Sequence, residues 1–288
     1  MKMTKARLFN NLMALPLAAG LVMTAGAASA LARVKIVSHR AVYDLVLKSA
    51  RERSGIRDVR GRMVVELEGN ACDGWSVGFR LVNDYQLPRG KFRMIDTRST
   101  SWESGDGLNM RYVEHEFIDN RPGDVTRVSV TRHKIDTEGV IKLKKPKSEM
   151  LKMPAGALFP VAHQIRLIRE ASEGIHRDKS IVYDGSDRDN IYQAITFIGK
   201  KHQKLRPGGH AIAGNGQKLV RKVTYWPVSI SYYPAGEIAG EGPPSHQVSF
   251  DMYENGVAGD LVLDYGDFAL KGSLKRIDAL SGSGDCNK

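Results

Sequence analysis

Apolar and polar residues alternate with a period of two in several stretches of the chain. Val128 and Val130 sit between Arg127, Ser129 and Thr131; Val228, Ile230 and Tyr232 are separated by Ser229 and Ser231; Val248, Phe250 and Met252 are separated by Ser249 and Asp251. Successive side chains of an extended strand point to opposite faces, so each run predicts a strand with one face on a core and the other in water. Turn dipeptides punctuate the runs at Asp106-Gly107, Glu138-Gly139, Asn255-Gly256 and Gly266-Asp267, and the D-G and N-G pairs among them are hairpin signals. The pattern predicts an all-β fold with one main helix: a long antiparallel sheet that meanders and curls on itself, because a long flat sheet leaves its edges open to pairing.

The helix is predicted from Phe159 to Glu173. Val161, Ala162, Ile165 and Ile168 recur at helical spacing, Pro160 is tolerated in the first turn, and Gly174 is placed to end it. On this spacing Arg166, Arg169, Glu170 and Glu173 face solvent. An amphipathic helix in a β protein packs its apolar stripe on the sheet; Val161, Ile165 and Ile168 mark it as a plug, with a mobile lid or partner-docking helix as the other reading. The glycine- and proline-rich stretches from Gly208 to Gly216 and from Pro234 to Pro244, and the tail from Ser281 to Gly284, are expected to be loops.

The first thirty residues belong to a different pattern. Lys2, Lys5 and Arg7 precede an apolar run from Leu12 to Met23, which leads to Ala28-Ser29-Ala30. That is the layout of a cleavable secretory signal, expected to be cut after Ala30. Its apolar run is shorter than the roughly 20 residues that span a bilayer, so no transmembrane anchor is expected. The organisation that follows is a signal peptide, residues 1–30, and one β domain, residues 31–288.

Export changes the reading of charge and of cysteine. The formal net charge is +11, and removing the three signal cations leaves +8, a balance that favours anionic partners or simple solubility. No aromatic-basic nucleic-acid signature is present. Cys72 and Cys286 are the only cysteines. Two lone, distant cysteines in an oxidising compartment read as one disulfide; a redox-active pair is the rival reading, although there is no C-x-x-C.

Signatures of chemistry are sparse. The chain has no G-x-S-x-G elbow, H-E-x-x-H pair, Walker loop or G-x-G-x-x-G. His115 lies between Glu114 and Glu116, but strand alternation turns its neighbours to the other face. Asp184, Asp187 and Asp189 resemble the opening of a calcium loop without its glycine and distal glutamate. No catalytic residue, metal ligand or cofactor is assigned. The aromatics Trp75, Phe79, Trp102, Trp226 and Tyr232 are candidates for a concave apolar face that receives an acyl chain or a peptide; ordinary core packing uses the same residue types.

Several runs carry a family resemblance. His39-Arg40-Ala41-Val42-Tyr43-Asp44-Leu45, Ser54-Gly55-Ile56 with Gly61-Arg62-Met63, Cys72-Asp73-Gly74-Trp75, Tyr183-Asp184-Gly185-Ser186, Trp226 to Tyr232, Tyr253 to Val257 and Leu261 to Phe268 resemble the alphaproteobacterial EipB family of periplasmic envelope integrity proteins. The resemblance implies a sheet wound into an open, spiral-like barrel, a helix near its opening and a disulfide at Cys72 and Cys286. It also implies a role in envelope integrity and a periplasmic tetratricopeptide-repeat protein as partner, and brings no catalytic residues. Three functional classes follow: a non-enzymatic envelope protein acting by binding a protein partner, a carrier or sensor of a hydrophobic envelope ligand such as a lipid or lipoprotein, and a hydrolase of envelope polymers.

Overall fold

The alternating runs fold as strands. The computed structural model describes residues 34–186, 191–203, 212–236, 242–281 and Cys286. Among them, fourteen strands form one antiparallel sheet. The first eight are β1 (His39–Ala50), β2 (Asp58–Asn70), β3 (Gly74–Gln86), β4 (Phe92–Glu103), β5 (Asn109–Ile118), β6 (Arg121–Thr131), β7 (Gly139–Lys145) and β8 (Glu149–Met153). The helix α1 (Pro160–Ser172) separates these from β9 (Arg177–Tyr183), β10 (Ile191–Ile198), β11 (Tyr225–Pro234), β12 (His246–Tyr253), β13 (Ala258–Asp264) and β14 (Phe268–Ala279). The expected secretory signal, Asp187 and Asp189, and parts of the expected loops and tail lie outside the described residues.

The strand order is β8-β7-β6-β5-β4-β3-β2-β1-β14-β13-β12-β11-β10-β9. The chain therefore meanders from β1 to one edge at β8, crosses through α1 to the other edge at β9, and meanders back until β14 pairs with β1. Ala41 stands opposite Ile277 and Leu45 opposite Gly272 in that central pair. No ladder joins β8 to β9, so the curled sheet stays open as expected. The segment between β8 and α1 covers the free edge of β9 instead: the Leu158 N–H donates to the Ile181 carbonyl (2.7 Å) and the Tyr183 N–H to the Leu158 carbonyl (2.9 Å).

Three of the turn signals fall between strands as read; the fourth does not, because Gly139 is already the first residue of β7 and the turn before it lies at 133–137. Asn255-Gly256 makes the β12–β13 turn, where Gly256 has φ 88° and a Cβ would stand 2.8 Å from Ile36 Cδ1; only glycine meets both conditions without strain. Gly107 lies in the β4–β5 turn, and its carbonyl accepts from Nε (2.9 Å) and Nη2 (2.6 Å) of the buried Arg132. Arg132 Nη1 donates to the Ala157 carbonyl (2.6 Å), and its guanidinium lies over the Phe159 ring. One cation thus ties the β4–β5 turn to the segment that leads into α1. Around it Met110, Ile141, Met153, Phe159 and Tyr183 form a buried cluster, so residues from both ends of the sheet share one core.

Cys72, in the β2–β3 turn, is disulfide-bonded to Cys286, with 5.8 Å between the Cα atoms. The Asn70 side chain shapes this turn by accepting from the N–H groups of Cys72 (2.7 Å) and Asp73 (2.9 Å).

Two outcomes follow. Cys72→Ser, or reduction of the wild type, is expected to lower unfolding stability by about 2 to 5 kcal/mol through loss of a long-range cross-link, measured by denaturant titration with and without reductant. Equal stability in both conditions would contradict a structural bond. Arg132→Met is expected to cost about 2 to 4 kcal/mol, because the buried carbonyls of Gly107 and Ala157 lose their donors; an unchanged denaturation midpoint would contradict that role.

Candidate functional site

The inner face of the sheet is the natural place for a ligand, and the chain packs its own helix against part of it. Val161, Leu167, Ile168 and Ala171 of α1 are buried against Leu67 of β2, Trp75 of β3, Val182 of β9, Ala194 and Ile198 of β10, and Trp226, Val228 and Ile230 of β11. Ile165 packs at the margin of this cluster. A second cluster, built on Tyr43, Leu45, Met63, Leu261, Leu270 and Ile277, continues the inner face and shares Phe250 with the first. Val161, Ile165 and Ile168 thus lie on the side of α1 that faces the sheet.

α1 begins without a cap of its own. Its N-cap position is Phe159, which has no side-chain acceptor, and Pro160 opens the first turn. The next amides are satisfied from far away in sequence: the N–H groups of Val161 and Ala162 donate to Oε1 (2.8 Å) and Oε2 (3.2 Å) of Glu103, the last residue of β4. This carboxylate meets the positive end of the helix, where backbone N–H groups have no intrahelical partner. Glu103 is only 2% exposed, and burial pushes its carboxyl up to about 7 in spite of the two amide donors. It stands opposite Trp75 in the β3–β4 ladder, on the same inner face.

Two further contacts hold the helix. Gln164 Nε2 donates to the Gly256 carbonyl in the β12–β13 turn (2.8 Å). Arg166 Nε donates to Asp178 of β9 (2.9 Å) and to Glu170 (3.0 Å), and the Ser180 hydroxyl also donates to Asp178 (2.7 Å). Burial opposes the charge of Asp178, but the imidazole of His163, the Ser180 hydroxyl and the Arg166 cation outweigh it and keep its carboxyl below the ordinary range. His163 Nε2 lies 3.5 Å from Asp178 Oδ2, long for a hydrogen bond. Arg166 and Glu170 were expected to face solvent. They face β9 instead, because the buried Asp178 demands a cation and α1 lies with that side against the strand; Arg169 and Glu173 are exposed as expected.

The five candidate aromatics do not share one surface. Trp75 and Trp226 are buried in the cluster around α1, with Tyr232 packed against it; Phe79 packs on the second inner cluster. Tyr232 also stacks on His246, with 4.5 Å between ring centroids, beside Tyr192. Trp102 is on the opposite, outer face. Trp75 pairs with Glu103, and Trp102 is the next residue along the strand, so alternation turns its ring outward under Arg111.

Glu103, Gln164, Arg166 and Asp178 thus hold the helix in place. The hydroxyl of Ser180 is spent on a carboxylate and is not activated by a histidine. Among the described residues, no group of three or more His, Cys, Asp or Glu side chains is placed to hold a metal ion. No described helix is long and apolar enough to cross a membrane. On the outer face a recess of about 500 Å³ is lined by Arg40, Val42, Val64, Arg80, Arg276 and Asp278, and its arginines are paired with Glu66, Asp96 and Asp278.

Glu103, Arg132 and Asp178 were not singled out from the sequence. For Glu103 a signal existed: a helix that starts Phe159-Pro160 lacks a local cap, so an acceptor from elsewhere is required.

Comparison with known proteins places these features in a lineage. Residues 30–281 match the family model described as EipB-like. The chain is 35% identical over 258 residues, 88% of its own length and 88% of the other's, to the cell envelope integrity protein EipB of Brucella abortus (strain 2308). It also resembles a crystal structure from Brucella abortus described as a β-barrel-like protein of domain of unknown function DUF1849. The TM-score is 0.76 at 32% identity, covering 86% of this chain and 100% of the other.

The buried carboxyl sets a pH dependence. With its folded value raised from 4.5 to about 7, Glu103 keeps its proton in the folded state while the unfolded chain releases it. Its contribution to stability is therefore fully present below pH ~4.5 and is lost as pH rises through about 7, at up to about 1.4 kcal/mol per unit and about 3 kcal/mol in all. Unfolding of wild type and Glu103→Gln followed from pH 4.5 to 8 isolates this part as the difference between the two curves. Parallel curves would contradict the assignment.

Proposed function

The chain belongs to the EipB-like family, and from that membership we propose that it is a non-enzymatic, exported periplasmic protein that maintains cell-envelope integrity by binding a protein partner. The observation that carries this reading is the occupied interior. α1 packs against part of the inner face of the sheet and is fixed there by Glu103, Gln164 and Arg166, which leaves the outer face and the edges to meet other molecules. The name of the Brucella relative supports the envelope role, and the disulfide between Cys72 and Cys286 fits an oxidising compartment. The partner class is the one implied by the family resemblance, a periplasmic tetratricopeptide-repeat protein. A carrier of a lipid or lipoprotein would have to expel α1, exposing several large apolar side chains that each contribute roughly 1.5 to 3 kcal/mol when buried.

Deleting the gene is expected to raise sensitivity to detergents and cell-wall antibiotics, with rescue by the wild-type chain. Calorimetric titration of the purified protein with the tetratricopeptide-repeat candidate from the same organism is expected to give saturable binding. An unaltered sensitivity profile would sink the envelope role; lipid that copurifies in native mass spectrometry, without partner binding, would favour the carrier instead.

A further inference from the structure

The outer face of the sheet is divided by charge. Over β1 to β4 and β14 the arginines are matched by carboxylates: Arg40 with Glu66 (2.7 Å), Arg62 with Asp44 (2.8 Å), Arg80 and Arg98 with Asp96 (2.9 and 2.6 Å) and Arg276 with Asp278 (2.6 Å). Over β5 to β8 the matching stops. The ladders align Trp102 with Arg111, Arg111 with Ser129, Ser129 with Lys142, and Lys142 with Met150. This cross-strand row spans five strands and about 20 Å at the usual strand spacing. Lys144 and Lys152 face outward beside it, and Val140 lies opposite Lys152. Apart from Asp124, which lies in the bulge at the far end of the β5–β6 ladder, no outward position of β5 to β8 in this register carries an acid. Lys152 reaches Glu138 at 3.2 Å, at the start of β7; Arg111, Lys142 and Lys144 make no ion pair among the described residues.

The row also carries apolar groups at its two ends. Met150 is 67% exposed, and the half-buried Trp102 ring lies under the Arg111 guanidinium. Edge protection accounts for a lysine and Pro146 near the short edge strand β8, but not for Arg111, three strands further in, nor for an exposed methionine on the edge itself. Hydrated lysine charges next to a methionine and an amphipathic tryptophan match a surface with an anionic outer layer and an apolar interior.

We propose that the outer face of β4 to β8 docks on a bilayer rich in anionic phospholipid, with lysines at the headgroups and Met150 and Trp102 at the boundary with the acyl chains. This goes beyond binding of a protein partner and is independent of it, since it uses lipid alone. The docking is peripheral and needs no opening of the interior.

The test uses the full mature chain with vesicles of phosphatidylcholine alone or with phosphatidylglycerol. Co-sedimentation at low salt is expected with the anionic vesicles and not with the neutral ones, and it should fall as salt rises. The triple variant Lys142→Glu, Lys144→Glu, Lys152→Glu is expected to weaken partitioning about a hundredfold, at roughly fivefold for each lysine lost. A control with the same charge change at exposed positions elsewhere, Lys48→Glu, Arg57→Glu, Lys91→Glu, should retain most of the binding. Trp75 and Trp226 are buried, so a blue shift of tryptophan emission on binding is expected to come from Trp102 and to vanish in Trp102→Phe. Circular dichroism confirms that each variant is folded. No binding to anionic vesicles, or equal losses in the two triple variants, would overturn the proposal and leave an acidic protein surface as the occupant of this face.

Discussion

A carboxylate at the end of β4 holds the first free amides of a helix that starts 57 residues later, and the architecture depends on that contact. α1 has 13 residues, too few to be a stable helix alone in water, and its Phe159-Pro160 start offers the backbone no local acceptor. Glu103 supplies the acceptor, and the apolar stripe of α1 then draws in strands from both halves of the sheet. Without the helix, Trp75 on one side and Trp226 on the other would line a hollow. The open curl of β1 to β14 is thus kept in shape from the inside, while Arg132 and the Leu158 bridge fasten the two edges from the connecting segment.

Placing a carboxylate in this position has a cost that the fold bears near neutral pH. The carboxyl is desolvated, and two amide donors compensate only in part, which leaves Glu103 titrating at about 7. Asp178, on the other flank of the helix, shows the opposite balance: a cation, a hydroxyl and an imidazole face it, and it stays charged. The two acids differ because a guanidinium reaches one and only backbone dipoles reach the other.

The strands, the D-G and N-G hairpin turns and the helix were legible in the sequence because each rests on local periodicity or on a turn residue with a special conformation. The strand order at the centre, β1 beside β14, was not, since no local signal specifies which distant strands pair. The same limit explains the site. Val161, Ile165 and Ile168 could be placed on a buried stripe from spacing alone, whereas the partners of Arg166 and Glu170 come from β9 and depend on where the helix docks. Trp102 was grouped with Trp75 by residue type; register, set by the hairpin between β3 and β4, separates them onto opposite faces.

Among the described residues, α1 packs its apolar stripe against the inner face of the sheet. Amide hydrogen exchange across α1, compared with that of β1 at the sheet centre and repeated with excess phospholipid, tests this most directly. Exchange of the α1 amides only through global unfolding, as slow as that of β1 and unchanged by lipid, is the result expected here. Exchange far faster than that of β1, or accelerated by lipid, would mean that the helix leaves the interior and that the space behind it is available to a ligand.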